Sequence, residues 1–190
     1  MSKEKELEKL NREMLACAKC ALRSGCKQVV LGAGSAQAEI MLIGEAPGKN
    51  EDEKGVPFVG AAGKFLDEML SSINLKREDI YIANTLKCRP PQNRDPLPEE
   101  KKICWEWLEK QIKIIQPKLI VTLGRHSMNL FLPDQKISEV HGRALRKDFL
   151  GLGKQVFFTL YHPAAALYNG GMRETLIKDF KKIPKVLRSL

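Results

Sequence analysis

A chain of 190 residues is long enough for one α/β domain with a hydrophobic core and too short for two of ordinary size. Hydrophobic residues make up 43% of it, which argues against disorder, and no apolar run approaches the length needed to span a bilayer. The formal net charge of +9 favours a polyanionic partner such as nucleic acid, although a solvated basic surface explains that charge equally well.

The first residues and the cysteine count both bear on the cellular compartment. The N-terminal segment 1–6 (MSKEKE) is charged and lacks the apolar stretch of a signal peptide, so we expect a protein that stays inside the cell. In that compartment the five cysteines favour metal binding or burial over disulfide bonds, and the odd count implies at least one spare thiol.

Hydrophobic periodicity predicts helices that alternate with short strands. In chain order, the pattern predicts a helix at 2–16, a strand at 39–43, a helix at 61–73, a strand at 80–83, a helix at 98–115, a strand at 119–123, a helix at 126–132, a strand at 156–160 and a basic helix at 173–188 with a break or kink at Pro184. We expect these elements to form a single domain over residues 1–190. Its predicted fold class is a three-layer α/β/α arrangement around a central, mainly parallel four-stranded sheet.

Ligands of such sheets bind outside the carboxyl ends of the strands. Four segments follow the predicted strands there: 44–48 (GEAPG), Asn84, 124–127 (GRHS) and His162-Pro163. The glycines of 44–48 can expose backbone N–H groups to a base or a phosphate, although such a loop is more often only a turn.

Three side chains near this edge suit a flat, polar ligand. Phe58 lies in a loop between glycines and can stack on a ring, or it can anchor the loop on the core. Asn84 can donate and accept at once, which suits the amide-like edge of a pyrimidine, or it can simply form a turn. His162 can donate a hydrogen bond to developing negative charge, or it can be structural.

The cysteines have the spacing of a metal site. Cys17 and Cys20 form a C-x2-C pair, and Cys88 and Cys104 follow further along the chain without a second such pair. Four thiolates hold either zinc or an iron–sulfur cluster, and spacing alone does not decide between them. Cys26, separated from the pair by five residues, is an alternative ligand or a free thiol.

Long stretches of the chain resemble the family 4 uracil-DNA glycosylases. The matching stretches are 44–63 (GEAPGKNEDEKGVPFVGAAG), 81–100 (YIANTLKCRPPQNRDPLPEE), 120–124 (IVTLG), 162–167 (HPAAAL) and the CAKC of 17–20. The resemblance covers nearly the whole chain. It implies a monofunctional DNA repair enzyme that hydrolyses the N-glycosidic bond of uracil in single- or double-stranded DNA and leaves an abasic site.

The resemblance also implies residue roles. Phe58 would stack on a uracil flipped out of the helix, since the glycosidic bond is inaccessible inside the stack. Asn84 would read the polar edge of the base, and His162 would hydrogen-bond the uracil O2. Ala46 would belong to the substrate-binding loop. Leu167 would act as a wedge in the base stack, with a core leucine as its alternative.

The water-activating group is not identified by the sequence. Ala46 stands where the related family 1 enzymes have an aspartate, and alanine cannot act as a base. Glu45 and Glu51 are the carboxylates nearby, and both are candidate catalytic residues. By resemblance Glu51 belongs to the pocket wall near C5 of the base, with a water-positioning role. Tyr168 departs from the arginine that the family usually has after Leu167.

The resemblance favours a structural [4Fe–4S] cluster over zinc, with four cysteine ligands and Cys26 left over. The expected ligands are Cys17, Cys20, Cys88 and Cys104. We expect a monomer, with repair or replication proteins as further partners. Candidate phosphate contacts are Arg125, Arg143, Arg146 and Lys147.

Two other functions account for part of the sequence. A covalent branch of the superfamily carries a histidine nucleophile between its third and fourth cysteine ligands, and segment 88–104 contains no histidine. A metal-containing nucleic-acid-binding module explains the charge and the cysteines. It does not explain why Phe58, Asn84 and His162 fall at one sheet edge.

Overall fold

The computed structural model describes residues 1–149 and 151–190. Its strands are β1 (Ala33–Gly34), β2 (Ile40–Gly44), β3 (Tyr81–Asn84), β4 (Leu119–Leu123), β5 (Ala144–Phe149) and β6 (Gly153–Leu160). Its α-helices are α1 (Lys3–Leu15), α2 (Leu22–Gly25), α3 (Lys49–Lys54), α4 (Ala61–Ser71), α5 (Pro98–Ile115), α6 (Arg125–Phe131), α7 (Ile137–Val140), α8 (Ala165–Tyr168), α9 (Gly170–Phe180) and α10 (Ile183–Arg188). Two 3₁₀ turns cover Arg77–Asp79 and Pro91–Asn93.

The strands form one sheet in the order β1-β3-β2-β4-β6-β5. The central four, β3, β2, β4 and β6, are parallel and correspond to the four predicted strands. β1 and β5 are antiparallel edge strands that the sequence analysis did not predict. The predicted fold class is therefore confirmed, and the predicted strand count of four is corrected to six.

The two missed strands have little apolar signal. β1 has only two residues, which is too short for any periodicity to be visible. β5 reads ALRKDF and none of its residues is buried, as is common for edge strands that carry charges against further pairing. Arg146 and Lys147, predicted as candidate phosphate contacts, are part of this strand.

Helices cover both faces of the sheet because side chains of a buried strand alternate between faces. Met41 and Ile43 of β2 pack in a core with α1, α5 and α6, whereas Leu42 packs in a second core with α4, α9 and α10. These two cores give the three layers that the strand and helix alternation predicts. None of the helices in the described ranges has the length and apolar character needed to cross a membrane.

The predicted interruption of the C-terminal helix is present. The segment predicted as a helix at 173–188 with a break or kink at Pro184 forms α9 and α10, separated at Lys181 and Lys182. Pro184 lies in the first turn of α10, where its missing N–H costs nothing, and this favours a break before it. α9 begins three residues early because the Asn169 side chain accepts from the Gly171 N–H and caps it.

Candidate active site

The carboxyl ends of the four parallel strands lie side by side. Gly44 at the end of β2 pairs in register with Asn84 at the end of β3, and Leu123 of β4 pairs with Leu160 of β6. Segments after these strands enclose an open cavity of about 260 Å³. Its lining residues are Ala46, Gly48, Glu51, Phe58, Ala62, Asn84, Asn93, His162 and Ala164. The structure thus gathers Ala46, Glu51, Phe58, Asn84 and His162, as predicted, around one cavity.

Phe58 holds an unusual backbone conformation at the wall of this cavity. Its φ is 53°, in the left-handed region that is costly for a bulky side chain such as phenylalanine. The ring is 6% exposed and stacks on the His162 ring, with centroids 5.7 Å apart and planes at 26°. A Cβ on Gly44 would lie 2.8 Å from the Phe58 ring and 2.4 Å from Asn84 Oδ1, so glycine is required there.

Arg77 and Gly63 hold the Phe58 backbone in place. The Arg77 guanidinium donates to the carbonyl oxygens of Pro57 at 3.2 Å, Phe58 at 2.5 Å and Gly63 at 3.3 Å. Its Nε pairs with Asp67 at 2.6 Å. A Cβ on Gly63 would lie 1.8 Å from the Phe58 carbonyl oxygen, so the loop can approach α4 only at a glycine. The sequence contains no pattern that indicates this role of Arg77.

Glu51 binds the backbone of two loops with its carboxylate. One oxygen accepts from the N–H groups of Val59 and Gly60, both at 2.9 Å. The other oxygen accepts from Gly48 N–H at 3.1 Å, at the start of α3. The carboxylate therefore joins the 44–48 loop to the loop that carries Phe58. This arrangement was not visible in the sequence, because α3 is a six-residue, highly charged helix without apolar periodicity.

His162 is neutral, and the position of its proton follows from its contacts. Burial lowers the pKa of His162 to about 4, although the Glu51 charge acts in the opposite direction. The ring Nδ1 accepts a hydrogen bond from Ala164 N–H at 3.1 Å. In a neutral imidazole the other nitrogen then carries the proton, so Nε2–H is a donor.

Glu45 lies apart from the cavity lining. Its carboxylate oxygen is 3.9 Å from His126 Nε2, which is 3.3 Å from Asp95. Burial raises the pKa of the Glu45 carboxyl, while His126 opposes that rise. The Glu45 carbonyl accepts from Leu86 N–H at 3.0 Å and ties the 44–48 loop to the segment after β3.

Leu167 and Tyr168 protrude from α8, just beyond the cavity residues His162 and Ala164. Leu167 is 46% exposed and Tyr168 is 89% exposed. A core role for Leu167 is therefore wrong, and an apolar wedge beside the cavity remains consistent with its position.

The predicted phosphate contacts fall in two places. Arg125 is exposed at the start of α6 and pairs with Asp95 at 2.7 Å. Arg143 precedes β5 at the carboxyl edge of the sheet, whereas Arg146 and Lys147 lie further back along β5. Arg143 and Arg125 are therefore the members of the set closest to the edge where the cavity opens.

Comparison with known proteins gives the family. The profile described as the Uracil DNA glycosylase superfamily matches residues 31–188. The chain belongs to the uracil-DNA glycosylase superfamily. The type-4 uracil-DNA glycosylase of Archaeoglobus fulgidus is 50% identical over 182 residues, covering 93% of this chain and 91% of the relative. That of Sulfurisphaera tokodaii is 47% identical over 186 residues, covering 93% and 83%.

A solved structure supports the fold separately. The solution NMR structure of a candidate uracil DNA glycosylase from Methanosarcina acetivorans matches with a TM-score of 0.51. The match covers 83% of this chain and 98% of that chain at 11% identity. At that identity the likeness concerns the fold alone. The sequence relatives place this chain among the type-4 members of the superfamily.

The cysteines form a second candidate site, on the α1 and α5 side of the sheet. Cys17, Cys20, Cys88 and Cys104 line one apolar cavity together with Lys87. Cys26 does not line it; its sulfur lies 3.6 Å from the Arg23 carbonyl oxygen. None of the five cysteines, all of which lie within the described residues, forms a disulfide bond.

The four cysteines that share this cavity suit a metal group, because thiolates hold either zinc or an iron–sulfur cluster. Their common lining of one cavity brings together residues from three separate parts of the chain.

Asn93 is a cavity residue that the sequence analysis did not select. It has a φ of 55° and accepts from Arg89 Nε at 2.8 Å through its Oδ1. Asparagine is one of the few residues that tolerate this conformation, so the polar segment 91–95 could have been recognised as a tight turn. Its place beside the cavity depends on tertiary structure.

The tautomer of His162 can be measured by ¹⁵N–¹H correlation spectra of the imidazole rings, with the signal assigned from a His162→Gln variant. Because its pKa is lowered to about 4, we expect His162 to stay neutral, with the proton on Nε2, as the pH falls through the ordinary histidine range. A titration midpoint near the usual value of about 6.5, or a proton on Nδ1, would contradict this assignment.

Proposed function

We propose that this chain removes uracil from DNA by hydrolysing the bond between the base and its deoxyribose, leaving an abasic site. The main support for this proposal is that Asn84, His162 and Phe58 line one cavity at the carboxyl edge of the sheet. The names of the type-4 relatives support the same activity.

Asn84 is the residue that reads the base. Its side chain is 3% exposed and lies at the end of β3, so a base that enters the cavity meets an amide with little freedom. Uracil presents an N3–H donor beside the C4 carbonyl, and the amide pairs with both. Cytosine presents an acceptor beside an amine and would leave these buried groups unpaired.

His162 stabilises the leaving group. Its Nε2–H donates to the uracil O2 and gains strength as negative charge develops there during bond cleavage. Because the ring is already neutral and held by Ala164 N–H, it needs no loss of a proton or change of tautomer before it acts. The Phe58 ring, stacked on His162, provides the apolar surface against which the flipped base stacks.

Glu51 acts by positioning rather than as a free base. Three backbone N–H groups already bind its carboxylate, and the loops that these groups belong to carry Phe58 and the 44–48 segment. Ala46 has no polar side-chain atom and cannot act as a base either. Because neither residue serves as a general base, rate acceleration comes mainly from leaving-group stabilisation. Leu167 fills the space that the flipped base vacates.

We further propose that Cys17, Cys20, Cys88 and Cys104 hold a [4Fe–4S] cluster with a structural role, since hydrolysis transfers no electrons. The cavity that these four cysteines share supports the proposal. The cluster would join the segment after α1 to the segment after β3 and to α5. We expect the enzyme to act as a monomer on uracil-containing DNA and to bind repair or replication proteins.

Base recognition is tested by Asn84→Asp in single-turnover uracil release from a labelled oligonucleotide. An ionised aspartate only accepts hydrogen bonds and repels the uracil O4, so we expect a loss of about 2–4 kcal/mol in transition-state stabilisation. Asn129→Asp makes the same change at an exposed position of α6 and should cleave at the wild-type rate.

Three outcomes would count against the proposed function. A folded Asn84→Asp variant that cleaves at the wild-type rate would place the pocket elsewhere. Wild-type protein that binds uracil-containing DNA without releasing uracil would favour the nucleic-acid-binding module. A protein–DNA adduct that survives a denaturing gel would favour the covalent branch.

The metal assignment is tested by elemental analysis of protein purified without oxygen. We expect about four irons per chain for a [4Fe–4S] cluster. Cys88→Ser should lose the iron, whereas Cys26→Ser should keep it, because Cys26 does not line the shared cavity. Stoichiometric zinc without iron would overturn the cluster, and equal iron loss in both variants would add Cys26 to the ligand set.

A further inference from the structure

Lys87 is a lysine in an unexpected place. Its side chain is 2% exposed, although lysines are almost never fully buried without a partner of opposite charge. Its Nζ donates to the Asn84 carbonyl oxygen and to Gln111 Oε1, both at 2.7 Å. Both acceptors are neutral, and none of the carboxylates in the described residues forms an ion pair with Lys87.

The polar neighbours of Lys87 continue into the core without supplying a negative charge. Gln111 is fully buried on α5 and donates to the Tyr81 hydroxyl at 3.2 Å and to the Leu31 carbonyl oxygen at 3.4 Å. A buried ammonium that has only neutral acceptors is costly, so an anionic group is expected close by.

The cysteine cavity supplies such a group. Lys87 lines that cavity with the four candidate ligands and directly precedes Cys88 in the chain. Four thiolates around an iron–sulfur core give the whole group a net negative charge, and a nearby positive charge stabilises it and raises its reduction potential.

We infer that Lys87 is the counter-charge of the metal centre and the link between that centre and the base-reading Asn84. Lys87 lines the four-cysteine cavity, and its ammonium binds the carbonyl oxygen of Asn84, a residue that lines the base cavity. Loss of the metal removes the anionic partner, and the uncompensated charge then disturbs the end of β3. Lys87 is thus a positioning residue, and the inference rests on the proposed cluster and function.

The test compares three changes at this position in the iron-loaded enzyme. Lys87→Met removes both the charge and the donor, Lys87→Gln removes the charge but keeps an amide donor, and Lys87→Arg keeps the charge. Lys113→Met, at an exposed position two residues from Gln111 on α5, is the control. The readouts are iron content, the reduction potential of the cluster followed by electron paramagnetic resonance, and single-turnover uracil release.

These readouts should distinguish the effect of the Lys87 charge from the effect of its hydrogen bond to the Asn84 carbonyl. We expect a lower reduction potential or loss of iron in Lys87→Met and Lys87→Gln, because a nearby positive charge favours the more negative, reduced cluster. Lys87→Arg should retain iron. Uracil release should fall about tenfold or more in Lys87→Met and less in Lys87→Gln, since the glutamine can still donate to the Asn84 carbonyl.

Two results would overturn the inference. The first is a wild-type potential in iron-loaded Lys87→Met and Lys87→Gln, which would show that the cluster does not sense this charge. The second is equal iron loss in all three variants, which would assign Lys87 to packing alone. A wild-type protein that binds the cluster but does not release uracil would refute the proposed function while leaving the counter-charge in place.

Discussion

The Glu51 carboxylate is the interaction on which the base cavity depends. Phe58 must occupy a left-handed backbone conformation to bring its ring against His162, and that conformation is costly. Glu51 offsets the cost by accepting hydrogen bonds from Val59 and Gly60, the two residues that follow. Arg77 binds the same loop from its other side. The cavity is therefore shaped by bonds to the backbone before any base enters it.

The same structure explains how a glycosylase can work without an obvious base. In the proposed mechanism, the neutral His162 presents a fixed donor that stabilises the departing uracil anion. Asn84 is the proposed reader of the base, and its backbone carbonyl is bound by Lys87, which lines the cysteine cavity. The proposed metal centre and the base cavity thus share one segment, Asn84 to Cys88, although the proposed cluster would take no part in hydrolysis.

The sequence predicted those features that depend on local patterns. α5 and β4 have the predicted bounds because apolar periodicity and a proline in the first turn define them. Phe58, Asn84 and His162 could be predicted as one group because parallel strands end at one edge. The contacts of Glu51 could not be predicted, because α3 has no apolar face that would indicate a helix. The burial of Lys87 could not be predicted either, because lysine is usually a surface residue. Both depend on packing between segments distant in the chain.

The free energy of unfolding of a Glu51→Gln variant, measured by denaturant titration, tests most directly whether the cavity is built in advance. Glutamine has one acceptor oxygen where glutamate has two, and it turns an amide donor toward backbone N–H groups. If Glu51 holds the loops, the variant should lose about 1.5–3 kcal/mol, the range for hydrogen bonds to charged groups. A stability equal to or above that of the wild type would contradict the account, because the carboxylate would then be free for another role.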